Sequence, residues 1–264
     1  MRHKSKINRK YGWKPSLPNN AKKYSVCHST ISLPPLVDLR PKDVPIYDQG
    51  DIGSCVGNGT AGVINFIQPQ VAPSRLFIYY NARVIEGDPQ QDGGAEIHDA
   101  ITSVVKQGVC PESLWEYDTT KFAVEPDEEA YSTAKTDLVT DYFSLQTISD
   151  LKQCLASGYP IVFGATVFEE LESSEVARSG VLPMPTNPGN PIGGHCMVLV
   201  GYNESQNQFI VRNSWGSGWG QKGYLMIPYA YIEQFASDFW TIRADMKVPD
   251  NTPVNPSSGS AILV

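Results

Sequence analysis

The sequence predicts an α+β chain folded as two packed lobes, and three observations carry the prediction. Helix-period segments gather in the N-terminal half, β-rich runs separated by Gly/Asn/Pro/Ser clusters gather in the C-terminal half, and the two do not alternate as βαβ units would. With 264 residues, 41% hydrophobic and 19% charged, the chain has apolar material for a sizeable core and the length of one or two compact units. A collagen, a coiled coil and a disordered polymer are excluded.

Residues 1–37 are rich in Lys, Asn, Pro and Ser and show no periodicity, so they read as an extended basic arm. They hold eight Lys or Arg and no acid, which leaves thirteen basic against twenty-eight acidic residues from Asp38 onward. Such an arm either stays mobile or lies on the body, and the charge contrast favours the second. The formal charge of −7 argues against a general affinity for nucleic acid or an anionic lipid surface. No run of about 18 uncharged apolar residues is present for a membrane span. The basic start also lacks the apolar stretch of a secretory signal, so the compartment stays open: the cytoplasm, or export by another route.

From Asp38 the texture changes. Ser54 is placed to cap a helix running to Gln68, with Val56, Thr60, Val63, Ile64 and Ile67 at helical spacing and Pro69 as its stop. Gly57, Gly59 and Gly62 lie inside it, each costing about 1 kcal/mol relative to Ala. The helix is therefore expected to be buried and held by contacts at close range. Ser74 opens a second helix that ends near Gly87, and Ile97, Ala100, Ile101, Val104 and Val105 form the face of a third, stopped by Gly108. A short helix is expected over Asp150 to Ser157, with Asp150 and Gln153 at capping-box spacing. Strands are expected at Ile161–Val167, Cys196–Tyr202, Phe209–Arg212, Tyr224–Ile227 and Phe239–Arg243. The domain expectation is an arm at 1–37, a body at 38–248 divided near residue 140 into helical and β-rich lobes, and a weakly ordered tail at 249–264.

Five cysteines in a chain of this size leave at least one thiol unpaired within the monomer. Cys55 stands at the start of the first predicted helix, where free backbone N–H groups and the macrodipole stabilise a thiolate. That placement suits a nucleophile. Gln49 offers a side-chain amide which, with the Cys55 N–H, would form an oxyanion hole. His195 lies at the mouth of a predicted strand behind Gly193 and Gly194 and is the natural base. Asn213, at the end of another strand, offers an amide oxygen to fix the imidazole, and Trp215 would shield that contact. A thiolate–imidazolium pair is the expected ionic state. Cys154 shares a helical face with Leu151 and Leu155 and reads as an inert core thiol; Cys110 reads as structural filler. No metal is expected, because neither Cys27-His28 nor His195-Cys196 is accompanied by a C-x₂-C or H-x₃-H pair. Gly216 to Gly220 lacks the Lys-Ser/Thr ending of a phosphate loop. No cofactor is called for.

With these residues in hand, the chain resembles the papain-like cysteine peptidases, the papain and cathepsin family. Gln49-Gly50-Asp51-Ile52-Gly53-Ser54-Cys55 matches that family's Gln-Gly-x-Cys-Gly-Ser-Cys segment, Gly194-His195 its histidine strand, and Asn213-Ser214-Trp215-Gly216-x-Gly218-Trp219-Gly220 its asparagine loop. Nucleophile and base stand 140 residues apart, inside the range of about 130–150 typical of papain relatives. The resemblance covers roughly residues 36–243. It implies a helical lobe and a β-barrel-like lobe with the active cleft between them. It further implies Cys55 as nucleophile, His195 as general acid/base, Asn213 as its partner and Gln49 as oxyanion donor. Gly93, Gly94, Gly194 and Trp215 are the implied substrate-facing positions.

Departures from the pattern carry expectations of their own. Ile52 replaces a cysteine, which removes the family's usual disulfide there, and Val56 stands where the family has an aromatic. Only 34 residues precede Pro-Leu-Val-Asp-Leu-Arg at Pro35, too few for a helical inhibitor domain, and this short leader looks like bacterial members. Ala95, Glu96 and Cys196 fall near the family's second-subsite wall, where Glu96 hints at tolerance for basic or polar side chains. The expected activity is cysteine endopeptidase hydrolysis of a peptide or protein substrate through a thioester, with the arm as a possible built-in inhibitor. An acyltransferase or transglutaminase-like enzyme, and a non-catalytic peptide-binding homologue, are the alternatives.

Overall fold

The computed structural model describes residues 9–17, 32–135 and 141–243. The rest of the arm, Cys27 and the 249–264 tail lie outside the described residues. In chain order the elements are β1 (Trp13–Lys14), β2 (Leu36–Asp38), α1 (Cys55–Ile67), α2 (Arg75–Glu86), β3 (Ala95–Glu96), α3 (Ile97–Gln107) and α4 (Glu128–Ala134). There follow β4 (Asp141–Leu145), α5 (Ile148–Ala156), β5 (Ile161–Val167), α6 (Ser174–Ser179), β6 (Gly193–Asn203), β7 (Gln208–Arg212), β8 (Tyr224–Pro228), α7 (Tyr229–Phe235) and β9 (Ala236–Arg243). Among the described residues no helix is long and apolar enough to cross a membrane.

Among the described residues the three longest helices, α1 to α3, lie before residue 135. Eleven residues of α1, Cys55 to Asn65, are buried, as its three glycines require. A methyl group on Gly57 would stand 2.7 Å from the Arg75 carbonyl oxygen, and one on Gly59 would stand 3.0 Å from Cys196 Sγ. Small residues thus let α1 touch α2 on one side and the sheet on the other. Ser54 does not cap α1 with its side chain; its hydroxyl is engaged by the Tyr117 hydroxyl instead. Ser74 does cap α2, accepting from the Phe77 N–H at 3.1 Å, and Gly87 closes it at φ +82°.

The β-rich half forms one antiparallel sheet in the order β4-β9-β5-β6-β7-β8, with β2 joining β6 at Gly201 to Asn203, beyond the last β5 partner at Leu199. All five strands expected from sequence are present, β6 and β9 longer than expected. The helix expected from Asp150 starts earlier. Thr147 is its N-cap and Asp150 closes the capping box from the third helical position, because the Thr147 hydroxyl reaches the Asp150 N–H. Hydrophobic alternation is weak in β4, where only Leu145 is buried, which is why the sequence does not announce it.

One polar clamp ties the segment Asp43–Pro45 to the sheet. Arg212 and Asp43, whose side chains are 3% and 2% exposed, pair at 3.0 Å. The same guanidinium donates to the carbonyls of Val44 and Pro45, and Tyr224 OH donates to Asp43. Both terminal nitrogens of Arg212 and both oxygens of Asp43 thereby have partners, the condition under which a buried ion pair is tolerated.

Candidate active site

Cys55 is the first residue of α1, His195 the third of β6, and Asn213 directly follows β7. One helix start and two neighbouring strands therefore carry the three side chains to one place. His195 Nε2 stands 2.8 Å from Asn213 Oδ1, while Nδ1 is buried with no hydrogen-bond partner among the described residues. The ring nitrogen turned away from Asn213 is thus the one left to take a proton. The Trp215 ring lies against the imidazole with centroids 5.1 Å apart, and His195 and Asn213 are both buried. Gln49 is fixed from two directions: its N–H donates to the Ser214 carbonyl at 2.9 Å, and Ser214 Oγ donates to Gln49 Oε1 at 2.7 Å. That leaves the Gln49 amide hydrogens pointing to the cleft, where they meet the Ile52 carbonyl at 3.0 Å and the Lys10 carbonyl at 3.3 Å.

Lys10 belongs to the arm, and residues 9–17 run along the cleft. Trp13 and Lys14 pair in parallel with Ala95 and Glu96, and the Ala95 N–H donates to the Gly12 carbonyl at 2.8 Å. The backbone N–H of Gly12 points to the Cys55 sulfur, as do those of Cys196, Val56 and Cys55 itself. Arg9 pairs with Asp48 at 3.2 Å and stacks on Trp215; Lys10 pairs with Asp92 at 2.7 Å and Lys14 with Glu86 at 2.6 Å. Tyr11 OH donates to Glu172 at 2.7 Å while its ring meets the His195 ring edge-on. Burial and this carboxylate raise the Tyr11 pKa, so the hydroxyl stays protonated. The charge contrast between arm and body thus appears as three described ion pairs along one groove.

Burial under the arm disfavours the charged form of Cys55. Burial pushes the Cys55 thiol up to about 11, although four backbone N–H groups oppose the rise. Burial likewise pushes His195 down to about 4, with the Asn213 hydrogen bond working against that shift and the nearby Arg9 charge working with it. Burial thus works against the thiolate–imidazolium pair expected from sequence. The arm is among the groups that cover the two side chains, with Tyr11 and Trp215 both against the imidazole.

The glycines are placed at the cleft, with one difference from the sequence expectation. A methyl group on Gly94 would stand 2.2 Å from the Gly12 carbonyl oxygen, and one on Gly194 2.7 Å from that of Trp13. Gly93 lies beside Lys14 Nζ. The Gly94 N–H, however, donates to Tyr79 OH at 3.2 Å, so the N–H that bonds the arm is that of Ala95. Trp13 fills a slot floored by Gly164, where a methyl group would stand 1.8 Å from the indole, and its Nε1 donates to Asp238 at 3.1 Å. Asp238, not Glu96, is the acid that meets the seated side chain; Glu96 accepts the Leu17 N–H at 2.9 Å. Cys196 turns toward α1 and Gly59, away from that wall.

Asp92 and Asp238 escaped the sequence reading. Asp92 directly precedes the glycine pair, a signal of position without a signal of role. Asp238 is the third residue of β9, and only the order of strands brings it to the cleft.

Comparison with known proteins agrees with this geometry. The family model for papain family cysteine proteases matches residues 33–235. An uncharacterized peptidase C1-like protein of Acanthamoeba polyphaga mimivirus is 42% identical over 230 residues, covering 79% of this chain and 74% of that protein. Papain of Carica papaya is 24% identical over 223 residues, covering 81% of this chain and 62% of its own length. The crystal structure of xylellain, a cysteine protease from Xylella fastidiosa, superimposes with a TM-score of 0.83 at 37% identity, covering 92% of this chain and 99% of that one. A helical lobe and a large antiparallel sheet holding a thiol, an imidazole and an amide at their junction, in a chain so matched, belong to the papain family of cysteine proteases.

Proposed function

We propose that this papain-family protease is an endopeptidase working through a thioester, and that its N-terminal arm is its own inhibitor. Cys55 attacks the scissile carbonyl, and the Gln49 amide with the Cys55 N–H holds the oxyanion. His195, oriented by Asn213, accepts the thiol proton, returns it to the leaving amine, and then activates the water that cleaves the thioester. One observation carries the reading: a peptide backbone, that of residues 9–14, already fits the cleft, with a carbonyl on the Gln49 amide and an N–H on the Cys55 sulfur.

The direction of that backbone explains why the arm is a blocker and not a substrate. In a productive complex the leaving amine faces His195, and the acyl side runs toward the Gly93–Gly94 rail. In the arm the residues on the rail side, Gly12 to Lys14, are C-terminal to Lys10, so the chain lies in the opposite sense. Tethering beside the cleft keeps its local concentration near the millimolar range.

The test uses the full-length chain carrying Gly12→Val, which unseats the arm. Hydrolysis of internally quenched peptides is expected, with a Cys55 acyl adduct trapped on acid quenching, and Cys55→Ala is expected to remove both. Activity surviving at the same level in Cys55→Ala rejects the nucleophile; equal rates with and without Gly12→Val reject the inhibitory arm.

A further inference from the structure

Asp92 has a side chain only 7% exposed. Its Oδ1 is fixed by two donors, Tyr79 OH at 2.7 Å and the Gly53 N–H at 2.9 Å, and its Oδ2 accepts Lys10 Nζ at 2.7 Å. Tyr79 is held in turn: the Arg83 guanidinium lies 4.0 Å from its ring centre and donates to the Pro89 and Gln91 carbonyls at 2.7 Å each. The carboxylate is therefore locked in place before any ligand arrives. Its one oxygen facing the cleft is engaged by a cation.

The location of that cation decides what the site reads. The carbonyl of the same residue, Lys10, stands against the Gln49 amide, the donor assigned to the oxyanion. We propose that Asp92 makes this protease select a lysine or arginine at the residue supplying the scissile carbonyl, because its buried carboxylate holds Lys10 Nζ beside the Gln49 amide.

The arm runs opposite to a substrate, yet Asp92 flanks Gly53 and the Gly93–Gly94 rail, so the acyl side of any bound peptide passes it. A long flexible stem reaches the carboxylate from either backbone sense. A side chain without a cation leaves the oxygen to water at the groove mouth, and an acidic one meets like charge. The inference rests on the reading of Cys55 and Gln49 given above.

The test compares peptides differing only before the cleaved bond: lysine, norleucine, which is the same stem without the ammonium, and glutamate. In the full-length Gly12→Val chain, kcat/KM is expected to favour lysine over norleucine about tenfold, with glutamate the poorest. Asp92→Asn is expected to bring the lysine-to-norleucine ratio within about twofold while the norleucine peptide is still cleaved. A ratio within one variant does not depend on how much of it is folded.

The same peptides titrated calorimetrically into the full-length Gly12→Val/Cys55→Ala chain read the preference with no turnover. Failure of hydrolysis with the binding ratio intact overturns the catalytic reading alone. A lysine-to-norleucine ratio near one with Asp92 present, a ratio that persists in Asp92→Asn, or no binding of any of these peptides overturns the proposal.

Discussion

Gly12 of the arm crosses Gly53 so closely that a methyl group on Gly12 would stand 1.8 Å from the Gly53 carbonyl oxygen. No side chain fits there, and Gly53 cannot retreat while its N–H is held by Asp92. Gly12→Val is therefore expected to lift the arm and raise both the initial rate of peptide hydrolysis and the alkylation of Cys55 by iodoacetamide, each by about tenfold or more, in line with losing one or two contacts worth about 1–2 kcal/mol. Stopped-assay rates on the full-length chain, with thiol labelling followed by mass spectrometry, check it.

Arm seating should pass through a maximum with pH. Under the arm His195 sits near 4, against an ordinary value near 6.5. The seated state therefore binds fewer protons between those limits, and seating weakens as pH falls from about 6.5 toward 4. Cys55 sits near 11 under the arm, so seating weakens again above the usual thiol range of about 8.5. The groups packed on the imidazole are Asn213, Trp215, Tyr11 and the Arg9 charge. The NMR signal of the Trp13 indole N–H, bonded to Asp238 when seated, should report the seated fraction. A signal unchanged between pH 7 and pH 4.5 would contradict the assignment.

Removing the Gln49 amide should slow chemistry more than binding. Gln49→Ala in the arm-unseated full-length chain is expected to lower kcat about 100- to 1,000-fold with a small change in KM, the usual loss for one oxyanion donor. Ser214→Ala, which frees only the far end of that amide, should cost less. Steady-state kinetics on the two variants distinguish a donor from a residue that merely props the loop.

The Asp43–Arg212 clamp should matter to stability. Asp43→Ala leaves a guanidinium only 3% exposed without its counter-charge, and about 3–5 kcal/mol of folding free energy is expected to disappear. Urea unfolding measures it. Replacing both partners by apolar residues of similar volume should cost less than the single change, since the desolvation penalty then goes as well.

Much of this was legible because the chemistry is local. The glycines of α1 announced a helix packed at close range, Ser74 and Gly87 bounded α2, and the cysteine, histidine and asparagine motifs each sat at the edge of a predicted element. What was missed depends on contacts distant in sequence. The Ser54 hydroxyl found Tyr117 instead of its own helix. Thr147 outcompeted Asp150 as a cap because its hydroxyl reached the Asp150 N–H. Asp238 and Trp13, 225 residues apart, meet only through the sheet order. The burial of Cys55 and His195 beneath Gly12 and Tyr11 is a contact of the same distant kind, since those residues sit more than forty positions upstream.

Ile52 stands where relatives place a half-cystine, and Cys55, Cys110 and Cys196 are free thiols, so packing holds this region without a sulfur crosslink. Oxidation of Cys55 to a sulfenic acid or a mixed disulfide would silence that thiol without touching the architecture, and two electrons from a thiol reductant would restore it with no refolding.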